Sequence, residues 1–415
     1  MKLRALDPIL YPDRDMLHKD FIEHLYYLIT ESIQPPYAIS IDGLWGTGKT
    51  IIMKTLESKL RERSYPVFWF NPWEYRQSDN VVAAFLRRLA TEYKSFLDAI
   101  GTIHGRTILA VLAETTMDVG LSMLTDGKVS LKGVKESFES AEGKPKFSFT
   151  DYDDIVETIK KEFIELIDRI SEQNEKKPVI IFFDDLDRCL PDDAVKLLEA
   201  LKNLFVTRVG EKKCNAIFVC GIDTHIAKQF IQAHYKDISA NFAINYFRKI
   251  FNLTIAMPQS FDIEKVLLKY LNDSEVSKLL TPQQAQALAK MICSRGFQFR
   301  LYSVRKYLNV ITNFCVFLEF NPNYKFTPEQ FEPADDFVVN LLMLQEFWQP
   351  LYEHLRQEAI RTRAAMGELV QGLLTQKAAE LSRGEREFLT NYLGTNSPFK
   401  KELLSSWLAN YPTLA

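Results

Sequence analysis

The chain has 415 residues, of which 47% are hydrophobic, 25% charged and 12% aromatic. That composition excludes a disordered or low-complexity protein and leaves room for two or three domains with large cores. Lys and Arg total 51 against 54 Asp and Glu, a formal charge of −3, so the basic excess that marks a dedicated nucleic-acid binder is missing. Short basic pairs such as Arg87-Arg88 and Lys212-Lys213 read as solvated surface. The 5 cysteines (Cys189, Cys214, Cys220, Cys293, Cys315) and 6 scattered histidines follow no disulfide or zinc spacing. With no apolar signal-peptide core near Met1, a reducing, cytoplasmic setting is expected.

In chain order, a polar lead precedes a helical pattern carried by Met16, Phe21, Leu25, Leu28 and Ile29, which Gln34-Pro35-Pro36 stops. Residues 37–42 predict a short strand that runs into a glycine-rich turn, and a helix is expected over 49–63. Residues 66–70 predict a second strand, broken by Asn71-Pro72-Trp73, with a helix beginning near Ser78 or Asp79. The Asn-Pro-Trp itself reads most simply as a turn with Trp73 packed under it; stacking of Trp73 on a base is the alternative. Residues 98–151 read as an insert. Its most apolar run, 107–124, holds Glu114 and Asp118. A carboxylate at the centre of a membrane span costs roughly 2.5–3.5 kcal/mol, so a buried or interfacial helix is expected there rather than a spanning one.

Residues 152–171 form an amphipathic helical pattern through Ile155, Ile159, Phe163, Leu166, Ile167 and Ile170. The wholly apolar run 179–183 is closed by acids, as in a central parallel strand. A helix over 192–206 and a strand over 216–220, followed by Gly221-Ile222-Asp223, continue the alternation. This order predicts an α/β fold: a parallel sheet sandwiched by helices. After Pro258 the apolar strands stop and helices are expected over 261–280, 281–295, 303–320 and most of 333–415. The aromatic-rich segment 341–355 reads as core, with a partner groove as the alternative. The expected divisions are a helical lead (1–36), an α/β core (37–258, with insert 98–151), a helical lid (259–325) and a C-terminal helical region (326–415).

The turn after the first strand is Gly43-Leu-Trp-Gly-Thr-Gly-Lys-Thr50, a full G-x4-G-K-T between strand and helix. Glycines let backbone N–H groups curl round phosphate oxygens, and the helix N-terminus adds a favourable dipole. Gly43, Trp45, Gly46, Thr47, Gly48, Lys49 and Thr50 are therefore the candidate phosphate-binding residues. Lys49 would reach the β- and γ-phosphates and Thr50 would place its hydroxyl on Mg²⁺. The run Phe183-Asp184-Asp185-Leu186-Asp187-Arg188 has the form of the matching acidic strand end. Asp184 would serve Mg²⁺, and Asp185 would polarise the attacking water. Many such enzymes carry Glu where Asp185 stands. Asp187 and Arg188 read either as a local salt-bridge network or as groups facing a neighbouring subunit's nucleotide.

The P-loop, Phe70-Asn-Pro-Trp-Glu-Tyr75, Phe183-Asp-Asp-Leu-Asp-Arg-Cys189 and Tyr246-Phe-Arg-Lys-Ile-Phe251 followed by Pro258 together resemble the KAP family of P-loop NTPases over roughly residues 11–320. The resemblance implies an AAA+-like P-loop core, ATP rather than GTP, and Mg²⁺. It also implies an assembly, remodelling or signalling role, often linked to a membrane, and bacterial members include proteins associated with excluding phage or plasmids. Members often carry membrane helices between the two nucleotide motifs, whereas the 98–151 insert here is charged. By the same resemblance, Asp223 would be a polar sensor, its alternative being a helix N-cap, and Arg305 or Arg300 a sensor arginine in the lid, a plain surface arginine being the alternative. Arg248 or Lys249 would be a finger acting on another subunit's nucleotide. The function expected is a Mg²⁺-dependent ATPase switch, with a non-hydrolysing ATP-gated scaffold and, less favoured, a DNA-dependent motor as alternatives. A homo-oligomer joined at the nucleotide site and peripheral membrane contact fit the resemblance, and the protein partner is not identified.

Overall fold

The computed structural model describes residues 18–75, 81–96, 109, 152–205, 208–235, 239–258, 263–273, 279–299, 303–321, 324, 326, 333–362, 366–377 and 379–393. The chain divides into two compact units, one built from His18–Trp45 with Lys49–Pro258, the other lying largely within Gln259–Ala415.

The first unit is organised by a five-stranded sheet of β1 (Tyr37–Asp42), β2 (Val67–Phe70), β3 (Val179–Phe183), β6 (Ala216–Ile222) and β7 (Leu253–Ala256). All pairs are parallel and the spatial order is β2-β3-β6-β1-β7. A two-stranded hairpin, β4 (Arg208–Val209) with β5 (Lys212–Lys213), stands apart from it, and Lys212 and Lys213 are exposed as expected. Strand side chains alternate between faces. Val179, Ile181 and Phe183 therefore join one apolar cluster, while Ile180 and Phe182 join the other. The first face packs on α3 (Val81–Glu92), α4 (Tyr152–Glu172), α5 (Pro191–Ala200), α6 (Thr224–His234) and α7 (Ala240–Ile250). The second packs on α1 (Lys19–Tyr27) and α2 (Lys49–Glu62), through Ile22, Leu25, Ile52, Met53 and Leu56. Each fully buried aliphatic or aromatic side chain contributes about 1.5–3 kcal/mol, so both layers are needed to hold the sheet.

The expected α/β sandwich is present, and three local readings change. Strand β7 escaped the sequence pattern because it is an edge strand of alternating burial, with Thr254 turned to a hydroxyl contact with Ser40 at 2.8 Å. The helix expected over 192–206 ends as regular α-helix at Ala200 and continues as a π turn, Leu201–Phe205. Trp73, expected to be packed under its turn, is 37% exposed. The turn itself forms because Asn71 Oδ1 accepts the Trp73 N–H at 3.1 Å.

The second unit is helical: α8 (Ile263–Asp273), α9 (Pro282–Gln298), α10 (Val304–Phe320), α11 (Pro333–Phe347), α12 (Gln349–Thr362), α13 (Met366–Gln376) and α14 (Arg383–Phe388). Among the described residues, one apolar cluster joins Leu267, Leu288, Tyr307 and Phe314 to Leu342, Leu355, Val370 and Phe388. Residues on both sides of position 325 thus share one core. The 341–355 segment is part of it, with Leu341, Leu342, Met343, Leu344, Leu351 and Leu355 buried. Trp348 packs on Phe299 and Phe388. Among the described residues, no helix is long and apolar enough to cross a membrane. The helix expected over 107–124 lies outside the described residues; the buried Leu109 donates its N–H to the Glu162 carboxylate at 3.0 Å.

Candidate functional site

The carboxyl ends of β1, β3 and β6 gather the residues that the sequence singled out. Strand β1 ends at Asp42 and passes directly into the glycine loop, and α2 starts at Lys49. Gly46 (φ 81°) and Gly48 (φ 99°) take left-handed backbone angles that residues with a Cβ rarely adopt, which is the local reason for glycine at these two positions. Thr47 is buried, whereas Leu44 and Trp45 are 59% and 53% exposed. Gly43 sits at the loop entrance, its N–H donating to the Ile222 carbonyl at 3.3 Å.

Lys49 is buried at 8% exposure. Its ammonium donates to the carbonyl of Gly43 at 2.5 Å and of Leu44 at 3.3 Å, and it pairs with the Asp187 carboxylate at 3.4 Å. Asp187, itself 2% exposed, also accepts the backbone N–H of Asp223 at 2.9 Å. Sequence reasoning missed this pairing. The spacing of Asp187 suggested a partner in its own turn, and nothing local says that the turn folds back on Lys49.

Thr50 donates its hydroxyl to Asp184 Oδ1 at 3.2 Å. The two come from α2 and the end of β3, and strand β6 lies between β3 and β1. The contact passes over Gly221 of β6. A Cβ at Gly221 would stand 3.3 Å from Asp184 Oδ1 and 2.6 Å from the Met53 sulfur. Gly221 is thus a site residue that sequence reasoning did not find; a glycine inside an apolar strand, a sign of close approach, was the available signal. Gly221→Ala is expected to cost about 1–3 kcal/mol by overpacking, read as a lowered melting temperature. A melting temperature equal to wild type would show that the strand has room to spare.

Burial, with Asp185 and Asp187 close by, pushes the Asp184 carboxyl up to about 6 against the partial relief of the Thr50 hydrogen bond. Asp185 has a left-handed backbone (φ 56°, ψ 28°) and opens a short 3₁₀ turn, Leu186–Arg188. Its Oδ1 pairs with Arg188 Nε at 2.8 Å, and the Asn71 side-chain amide faces its Oδ2 at 3.4 Å. The local salt-bridge reading of Arg188 is therefore what the structure displays. From the sequence, Asn71 reads only as part of a turn.

Asp223 caps α6: its Oδ1 accepts from the N–H groups of His225 at 2.9 Å and Ile226 at 3.3 Å. Of its two sequence readings, the cap is the geometry present. Asp42 binds the first residue of the same helix, accepting from the Thr224 N–H and hydroxyl, both at 2.9 Å. The structure thus brings together Gly43, Lys49, Thr50, Asp184, Asp185 and Asp223 with Asp42, Asn71, Asp187 and Arg188. Arg305 is exposed near the start of α10 in the helical unit, Arg248 and Lys249 are exposed on α7, and Arg300 lies outside the described residues.

The arrangement suits an anion and a hard cation side by side. Asp42, Asp184, Asp185, Asp187 and Asp223 stand at one end of the sheet, with Lys49 paired to Asp187 and Arg188 to Asp185, and such a gathering of carboxylates favours a bound divalent ion. One hydroxyl and one carboxylate in contact are the protein donors Mg²⁺ commonly takes when phosphates complete its shell.

The chain matches the model of the KAP family P-loop domain over residues 18–321. It belongs to that family, and is on that ground a nucleotide-binding P-loop NTPase-type protein. No curated protein matches it in sequence. Among solved structures it is similar to Cdc6p from Pyrobaculum aerophilum, at 14% identity and a TM-score of 0.36, covering 94% of this chain and 84% of that one. It is also similar to the Aeropyrum pernix ORC2 protein, in ADPNP-ADP complexes, at 12% identity and a TM-score of 0.31, covering 94% of this chain and 92% of that one.

Proposed function

We propose that this KAP-family chain binds ATP with Mg²⁺ and hydrolyses it, acting as a nucleotide-driven switch. The observation that carries the proposal is the 3.2 Å approach of the Thr50 hydroxyl to Asp184 across β6, beside a glycine loop of phosphate-binding sequence. Lys49 would exchange its loop carbonyls for β- and γ-phosphate oxygens, while N–H groups of Gly46, Thr47, Gly48 and the start of α2 face the phosphate chain. Thr50 and Asp184 would hold Mg²⁺, which when bound supplies positive charge against the triphosphate. Asp185 would accept a hydrogen bond from the attacking water and orient it towards the γ-phosphorus. Asp223 keeps the N-terminus of α6 in place through its cap.

The family resemblance adds an assembly or remodelling output, passed between copies of the chain or to a protein partner, and for bacterial members a part in defence against phage or plasmids. The mass of the protein in solution with and without ATP tests the first of these.

For hydrolysis the deciding variant is Asp185→Asn. It is expected to bind ATP within about three-fold of wild type and to lose roughly 10²–10⁴-fold in turnover, the usual weight of a general base. Equal turnover in both proteins would refute the role of Asp185. The ion pair that already occupies Asp185 supports one further reading, a scaffold gated by ATP that it does not hydrolyse. Stable retention of intact ATP by the purified protein would select that reading.

A further inference from the structure

We propose that Arg188 is a positioning residue that holds Asp185 back, so that turnover requires the guanidinium to be drawn away from it. The inference rests on the role of Asp185 proposed above. A carboxylate orients water through a lone pair that points at it, and both oxygens of Asp185 face donors. Oδ1 is bonded to Arg188 Nε at 2.8 Å, and Oδ2 faces the Asn71 amide at 3.4 Å. The two restraints are unequal. The first is a charge-assisted bond at ideal length; the second lies beyond the usual N–H···O range. Of these two contacts the one to Arg188 is the stronger, and its charge offsets the charge that would polarise a water.

The backbone reinforces it. Asp185 is fixed in a left-handed conformation, and the Arg188 N–H donates to the Asp185 carbonyl at 3.1 Å, so main chain and side chain close the same short turn. An aspartate has one methylene fewer than glutamate, which leaves it little freedom to reach a water while keeping Arg188. Yet the latch is easily opened. The Arg188 side chain is 33% exposed, and a partly exposed pair within one turn is worth little to the fold. An acidic group, whether a phosphate oxygen of the nucleotide or a carboxylate of a protein partner, would draw the guanidinium off without opening the core.

The test compares wild type, Arg188→Ala, Arg188→Lys, Asp185→Asn and the Arg188→Ala/Asp185→Asn double variant, measuring ATP affinity, kcat and KM with Mg²⁺, and melting temperature. Arg188→Ala is expected to raise kcat roughly three- to ten-fold with KM and melting temperature little changed. Arg188→Lys should fall between it and wild type, since an ammonium keeps the charge but not the Nε contact. The double variant should return to the Asp185→Asn level. A kcat for Arg188→Ala equal to or below wild type, with Asp185→Asn inactive, overturns the latch and leaves the role of Asp185 standing. Wild-type turnover in Asp185→Asn overturns both. Binding without turnover in both wild type and Arg188→Ala also overturns the latch.

Discussion

Replacing Lys49 by alanine is expected to lower nucleotide affinity by at least about 10–100-fold, the weight of one or two charge-assisted hydrogen bonds to phosphate at 1.5–3 kcal/mol each. It is also expected to destabilise the fold. Lys49 and Asp187 are paired at 3.4 Å with side-chain exposures of 9% and 1%. Removing the cation strands a buried carboxylate, which costs about 3–5 kcal/mol, a large part of the 5–15 kcal/mol typical of a domain. A simple loss of binding in Lys49→Ala would thus mix two effects. The double variant Lys49→Ala/Asp187→Asn separates them, because a neutral amide can keep accepting the Asp223 N–H without needing a counter-charge. It should recover most of the lost stability in a denaturant titration and none of the nucleotide affinity. Recovery of affinity would show that Lys49 serves the fold and not the phosphates. An undiminished melting temperature in Lys49→Ala would show that the pair contributes nothing.

The second large effect is a reversal of sign at Asp184. Its carboxyl is raised from 3.8 to about 6 by burial and by the neighbouring acids. The folded state therefore holds this proton more tightly than the unfolded chain does. The stabilisation from the bound proton is fully present below about pH 4 and is lost as pH rises through about 6. Above that, ionised Asp184 costs the ligand-free fold up to about 3 kcal/mol. Asp184→Asn removes that cost, so without ligand it should melt several degrees above wild type at pH 7.5 and close to it at pH 4. With Mg²⁺ and ATP present the order should invert. Wild type gains RT ln(1 + [L]/Kd) from a ligand that needs the carboxylate, and the amide gains far less. Melting curves at the two pH values, with and without ligand, check both halves. A wild type more stable than Asp184→Asn at pH 7.5 without ligand would mean that the buried carboxylate is already compensated.

Much of this protein was legible from the chain alone. The glycine loop between a strand and a helix carries its own meaning, because left-handed backbone at Gly46 and Gly48 and a helix start at Lys49 are local properties of those residues. The apolar run 179–183 ending in acids announced a central strand, since a short apolar run closed by acids is the pattern of a strand covered on both faces. The amphipathic period of α4 and the shift to helices after Pro258 were equally plain. Strand β7 was not, because an edge strand of alternating burial has no apolar run to show.

Partnerships were decided by the fold. Nothing in the sequence says that β6 is threaded between β1 and β3, and that order is what requires Gly221 to be small where Thr50 meets Asp184. Nothing says that Asp187 turns away from its own neighbour Arg188 to meet Lys49, that Asn71 faces Asp185, or that Asp42 grips the first residue of α6. Backbone conformation and burial period are set within a few residues and are written locally. Which carboxylate finds which cation depends on where the strand ends lie in space, and only the closed sheet puts them there.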